Sequence, residues 1–223
     1  MSIKISYSKK TNGRSSGNLV LFSDEKFSIN SLKKYYSNSE FLYINDLLKT
    51  SDLKKNLLVF EVNSKKKIVL ISIKKNLKSF DVENLGAEFY RRINYGKKSD
   101  YIIISDSIVS KHENFINYFL HGLKLKSYEF NKYKTKKEIR LISIIVSGNR
   151  NKRAIQNQLK LKALEDGTFF ARDLVSEPGN ILHPDEYARR LNSLKKDGLK
   201  INIYDKKKLK KMGMNALLGV GMG

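Results

Sequence analysis

The sequence predicts an α/β domain of three layers, on three observations. Short apolar runs rich in β-branched residues recur from Ile3 to Val146, each bounded by polar or turn-forming residues. Between them lie stretches with apolar residues at helical spacing, several opening on a capping signal. The 223 residues are 40% hydrophobic and 10% aromatic, enough for a core and too much for a disordered basic tail. Strands alternating with helices bury a sheet under helices on both faces.

Ile3–Tyr7 and Asn18–Phe22 are the first strands expected, separated by the Asn12-Gly13 and Ser16-Gly17 turn signals. Ser37 and Glu40 stand at capping-box spacing ahead of Phe41, Ile44, Leu47 and Leu48, which share one helical face. Leu57–Val62 and Ile68–Ile73 follow as two strands buried on both faces, with Asn63–Lys67 as a solvated hairpin tip. Asp81 is the expected N-cap of a helix whose stripe is Val82, Leu85, Gly86, Phe89 and Ile93, and Gly96 is its stop. Tyr101–Ile104 is a further strand. Ser110 and Glu113 form a second capping box before Phe115, Ile116, Phe119, Leu120 and Leu123, and Glu138–Val146 is the last strand of this part.

Residues 149–175 carry the longest helical pattern. Ile155, Leu159, Ala163, Phe170 and Leu174 share one face, while Leu161, Leu164, Ala171 and Val175 broaden it, as in a helix buried between two bodies. The chain's two prolines, Pro178 and Pro184, then arrive together and mark a domain junction. Pro184 suits the first position of a helix through Tyr187, Leu191 and Leu194, closed by Gly198. Leu199–Tyr204 is an expected strand, and Asp205 caps a short basic helix to Met212. The apolar, uncharged tail Met214–Gly223 is expected to be a strand with no partner to bury it. The expected organisation is an N-terminal α/β domain over 1–147, a connector helix over 148–176 and the incomplete start of a second domain over 177–223.

Charge excludes less than it suggests. Lys+Arg total 44 against 22 Asp+Glu, a formal net charge of +22, and the pI is about 9.9. Clustered cations would point to nucleic acid. Here residues 1–150 hold 29 basic and 14 acidic side chains and residues 151–223 hold 15 and 8, so the excess runs along the whole chain. It is mostly lysine rather than arginine, the residue of bidentate base and phosphate contacts. Lys, Asn, Ile, Tyr and Phe share A/T-rich codons, so codon bias explains the lysine. Absent cysteine rules out disulfides, thiolate metal sites and a cysteine nucleophile. No apolar run reaches the roughly 18 residues of a membrane span. The opening MSIKISYSKK lacks the apolar core of a secretory signal. A soluble, cytoplasmic protein is expected.

No catalytic constellation assembles from the residues. His112, His121 and His183 are scattered; the first is expected on the first turn of its helix, the second as packing, the third as an N-cap. Glu165 with Asp166, and Asp185 with Glu186, are neighbours that diverge on a helix and are expected in solvent. Gly219-Val220-Gly221-Met222-Gly223 lacks the lysine, hydroxyl residue and following helix of a phosphate loop. Tyr128, Phe130 and Tyr133, interleaved with Lys126, Lys132, Lys134, Lys136 and Lys137, could stack nucleic-acid bases. The plainer reading, rings pinned to the core with lysines in water, is preferred, and Lys206–Lys208 with Lys210–Lys211 is taken as a solvated face.

From Phe170 onward, FARDLVSEPGNILHPDEYARRL resembles the opening of the catalytic domain of the leucyl aminopeptidase (cytosol aminopeptidase) family. Arg172, Asp173, Leu174, Glu177, Pro178, Asn180 and Pro184 match the family pattern; Ser176 replaces its usual Asn and His183 its usual Thr. The tail from Met212 is similar to a family strand, with Asn215 where Gly is common, and Glu83–Tyr90 and Tyr128–Lys137 resemble its N-terminal domain. The resemblance implies a macro-domain-like N-terminal domain with a mixed sheet, a connector helix and a truncated α/β catalytic domain. It implies a hexameric exopeptidase with two manganese or zinc ions, which polarise the scissile carbonyl and activate a bridging water. The family's metal ligands lie in Gly-Lys-Gly-x-x-Phe-Asp and Asn-Thr-Asp-Ala-Glu-Gly motifs, and neither occurs here. No catalytic, cofactor-binding or metal residue is therefore assigned, and this chain alone is expected to lack peptidase activity. The competing expectation is a stand-alone basic α/β module that binds nucleic acid or a nucleotide.

Overall fold

A computed structural model describes residues 3–9, 17–94, 98–109, 112, 114–135, 141–149 and 151–221. The chain forms two compact units, Met1–Phe169 and Phe170–Gly223.

Six strands build one sheet in the first unit: β1 (Ile3–Ser8), β2 (Asn18–Ser23), β3 (Leu57–Asn63), β4 (Lys66–Ser72), β5 (Lys98–Ile104) and β6 (Leu141–Ser147). Their order is β1-β6-β5-β2-β4-β3. β3 runs antiparallel to β4 and every other pairing is parallel, which makes the sheet mixed. Side-chain alternation sends Val20 and Phe22 to one face and Leu19 and Leu21 to the other. The first face packs under α2 (Ser79–Ile93) and α3 (Phe115–Lys126). There the Phe22 ring meets Phe115 and Phe119 edge-on, each at 5.4 Å. The second face packs under a 3-10 turn (Asn30–Tyr35) and α1 (Asn38–Thr50) through Leu32, Tyr35 and Ile44. The three layers follow, and each fully buried Leu, Ile or Phe adds about 1.5–3 kcal/mol.

Local signals explain most element ends. Ser37 caps α1: its Oγ accepts from Glu40 N–H at 3.2 Å, while Glu40 Oε2 accepts from Ser37 N–H at 3.0 Å. Glu40 Oε1 also takes Lys66 Nζ at 2.7 Å. Burial pushes the Glu40 carboxyl up, but the hydrogen bonds from Lys66 and Ser37 outweigh it and hold the group below its ordinary range. Lys66 is therefore not part of a solvated hairpin tip; it opens β4 and is buried against its carboxylate. Asp81 is the third residue of α2 rather than its cap, and its Oδ2 accepts from Lys78 N–H at 2.9 Å. β3 is buried on both faces at Leu57 and Leu58, but Val59 and Glu61 are exposed, as suits an edge strand. The turn signals at 12–16, Gly96, the Ser110–Glu113 capping box and residues 138–140 lie outside the described residues.

The long helix α4 spans Lys152–Ser176 and overturns the expected orientation. Leu161 and Glu165 are its buried residues, whereas Ile155, Leu159 and Leu164 are exposed. Its inner face is the partly polar set Ala154, Asn157, Leu161 and Glu165, while Ile155, Leu159, Leu164 and Val175 of the apolar pattern are exposed and Phe170 and Leu174 half-buried.

In the second unit α5 (Pro184–Asn192) begins at Pro184, whose missing N–H costs nothing in a first turn. Gly198 adopts φ 83° where the helical segment stops. Asp205 caps α6 (Lys206–Lys211), accepting from Lys208 N–H at 2.8 Å. Leu199–Tyr204 is not a strand, since nothing pairs with it in the described residues. Nor is the tail: Asn215–Val220 forms helix α7, because an unpaired apolar segment satisfies its backbone only by coiling. Met222 and Gly223 lie outside the described residues.

Candidate functional site

One residue of the family pattern, Glu177, enters an ion-pair network in the second unit. After α4 the chain turns at Pro178, whose carbonyl accepts from Ile181 and Leu182 N–H, both at 2.9 Å. This turn precedes α5 and sets Glu177 beside Arg190. The Glu177 side chain is 1% exposed and accepts from Arg190 Nη1 at 2.8 Å. Arg190 Nε donates to Glu186 Oε1 at 2.7 Å. Arg189 donates to both oxygens of Glu186 at 2.6 Å. Two carboxylates and two guanidiniums thus clamp the Pro178 turn to α5, one bonding pair being the bidentate fork that arginine favours. Glu186, expected in solvent, is instead the hub of the network.

Hydrogen bonds from Arg189, then from Arg190, lower the Glu186 carboxyl from its ordinary 4.5 to about 2. A lowered carboxylate contributes fully above its ordinary value and loses that contribution as pH falls through the lowered one. The clamp is therefore expected to hold at pH 4 and open towards pH 2. Carboxyl-carbon NMR should give Glu186 a midpoint near 2, moving up in Arg189→Met. A wild-type midpoint at 4.5 would mean that the arginines point into water.

The other candidates are structural. His183 precedes α5 in extended conformation, and its side chain makes no cap hydrogen bond. His112 lies ahead of α3 rather than on its first turn; its Nε2 is 3.3 Å from Ser79 Oγ and its ring meets Tyr118 edge-on at 5.5 Å. Tyr128 stacks on Phe169 at 5.6 Å and Phe130 meets Tyr133 at 5.8 Å, with Tyr133 half exposed. Lys136 and Lys137 lie outside the described residues. Asp166 and Asp185 are exposed, as expected.

Glu165 is the departure. It is 3% exposed, and its carboxylate is shared by two α3 side chains, His121 Nδ1 at 2.9 Å and Lys124 Nζ at 2.7 Å. Beside it Asn117 Nδ2 donates to the Ala154 carbonyl at 2.7 Å and lies 3.2 Å from Asn157 Oδ1. His121 is buried, as expected, yet bonded rather than merely packed. Three residues of α3 and three of α4, some forty positions apart in sequence, are joined here, and only the spacing of Asn117, His121 and Lys124 on one face of α3 hinted at it.

Among the described residues no three His, Asp or Glu side chains are grouped to hold a metal ion. The Glu165 cluster offers two ligand types, with an ammonium on one oxygen, and does not fit one. No described helix is long and apolar enough to cross a membrane.

Residues 169–223 match the family described as cytosol aminopeptidase family, catalytic domain. A probable cytosol aminopeptidase of Bradyrhizobium sp. is 41% identical over 106 residues, covering 46% of this chain and 21% of the relative. One of Nitrobacter winogradskyi is 29% identical over 164 residues, covering 70% and 33%. The chain thus spans a fifth to a third of the length of these curated relatives. A tomato leucine aminopeptidase mutant shares the fold with a TM-score of 0.70 at 16% identity, covering 95% of this chain and 46% of its own. The bottromycin maturation enzyme BotP, in complex with Mn, gives a TM-score of 0.62 at 13% identity over 89% and 40%. With the family match over residues 169–223 and the curated relatives matching upstream of it as well, the chain belongs to the cytosol (leucyl) aminopeptidase family.

Proposed function

We propose that these 223 residues are the N-terminal portion of a two-metal aminopeptidase that hydrolyses leucine-type N-terminal residues from peptides. The match of residues 169–223 to the family's catalytic domain carries the reading. Under it, residues 1–147 are the accessory domain, 148–176 the connector and 177–223 the start of the peptidase domain. The paired ions are manganese or zinc, the assembly is a homohexamer and the site of action is the cytoplasm. Their ligands belong to the two motifs that this sequence lacks, so no step of the chemistry is assigned to a residue here.

The second unit supports this division. No residue of α5, α6 or α7 is buried, and Tyr187, Leu199, Ile203, Tyr204, Leu217 and Val220 are exposed. Apolar surface of that extent calls for more protein to cover it. The remainder of a peptidase domain is that cover.

The purified chain, supplied with Mn or Zn, is expected to release no leucine from a leucyl substrate. A longer protein carrying both ligand motifs is expected to release it, with activity lost to a chelator. Metal-dependent release by the 223 residues alone, or none from the longer protein, overturns the reading.

A further inference from the structure

A groove of about 210 Å³ lies between α2 and the end of the β3–β4 pair. Asp81, Leu85 and Glu88 recur on one face of α2 and form one wall. Asn56, ahead of β3, and Ser72 with Lys74, at the end of β4, form the other. Leu77 and Leu85 make an apolar floor. In a chain of net charge +22, this lining carries two carboxylates against one ammonium. Asp81 Oδ2 is taken by Lys78 N–H, while Glu88 Oε2 has only a long contact of 3.5 Å with Asn56 Nδ2. Glu88 Oε1 and the amide oxygens of Asn56 and Asn84 have no partner among the described residues. A carboxylate and two amide oxygens over an apolar floor match a primary ammonium, which has three donors, no acceptor and here an apolar body.

We propose that this groove binds the primary ammonium of a peptide-like ligand, with Glu88 as the counter-ion, the Asn56 and Asn84 oxygens as further acceptors and Leu77 and Leu85 under the ligand's apolar side chain. Lys74, on the same lining, is the donor for the ligand's carbonyl oxygen. The choice of a peptide N-terminus among ammonium ligands rests on the aminopeptidase reading; the ammonium itself does not.

The test uses the metal-free 223-residue chain, so that failure of peptide hydrolysis and failure of this site are separate results. Leucinamide, an ammonium with an apolar side chain and no carboxylate, is titrated while the Asn56 and Asn84 side-chain amides are followed by NMR. Saturable shifts are expected with leucinamide and none with N-acetyl-leucinamide. Loss of the charge-assisted hydrogen bond in Glu88→Gln is expected to weaken binding about ten-fold or more. Asn84→Asp adds a carboxylate at an exposed position and should tighten it. Equal shifts with the acetylated compound, or saturable binding indifferent to both substitutions, would overturn the proposal, as would no shift with leucinamide.

Discussion

Gly122→Ala is expected to destabilise the first unit by about 3 kcal/mol, lowering its melting temperature by roughly 6–12 °C. Gly122 lies on α3 where that helix crosses α2. A Cβ there would fall on the Glu83 carbonyl oxygen and within 2.6 Å of the Glu83 Cα. Gly86 makes the reciprocal approach, its Cβ position falling on the Phe119 carbonyl oxygen and 3.0 Å from the Leu123 amide nitrogen. Both obstacles are backbone, so a side-chain rotation cannot relieve them. The helices must separate, and separation opens the Phe22–Phe115–Phe119 cluster beneath. Helix propensity opposes this loss by only about 1 kcal/mol. Gly167→Ala is the matched control: the position lies within α4 with nothing inside 4 Å, so propensity acts alone and the melting temperature should rise slightly. Calorimetry on the two variants decides the matter. If both rise, the α2–α3 approach is looser than described.

The contrast shows which features were legible in sequence. Ser37 with Glu40, and Pro184 at the head of α5, act through partners within four residues, so pattern alone located them. Gly86 was placed in the apolar stripe of its helix, but neither its close approach nor that of Gly122 was legible, because each obstacle is backbone of the other helix, far away in sequence. The hairpin of β3 and β4 was legible from two β-branched runs, but the partial exposure of β3 was not, since edge position depends on strand order. Leu199–Tyr204 and the tail failed for a related reason. An apolar β-branched run becomes a strand only beside a neighbour, and the described chain offers these segments none. Motif residues from Arg172 to Pro184 were readable as a family pattern, whereas the Glu177–Arg190–Glu186 clamp, which takes one of them, was not. The net charge located no site in the sequence, because its basic residues are spread along the whole chain.

Glu165→Ala is expected to loosen α4 from α3 while leaving the sheet intact. With Ile155, Leu159 and Leu164 exposed, this helix gains little from hydrophobic burial; Leu161 is its one buried apolar side chain. Its docking rests instead on the shared carboxylate, the Asn117 bonds to Ala154 and Asn157, and the stack of Tyr128 on Phe169. Removing the carboxylate strands a buried imidazole and a partly buried ammonium, and breaking such a set costs about 3 kcal/mol. That energy corresponds to a roughly hundred-fold fall in hydrogen-exchange protection of the α4 amides. Protection in β2, β4 and α2 should not change, because their core lies on the other side of α3 from this contact. Glu165→Gln keeps an acceptor for His121 but no charge for Lys124, so a smaller loss is expected. Unchanged α4 protection in Glu165→Ala would show that the carboxylate is dispensable. Loss spread equally through the sheet would show that α4 belongs to the domain core. Apolar helix residues ordinarily turn inward; here Ile155, Leu159 and Leu164 do not, and a carboxylate set 44 residues from its histidine, with the Asn117 bonds beside it, holds the polar face inward instead.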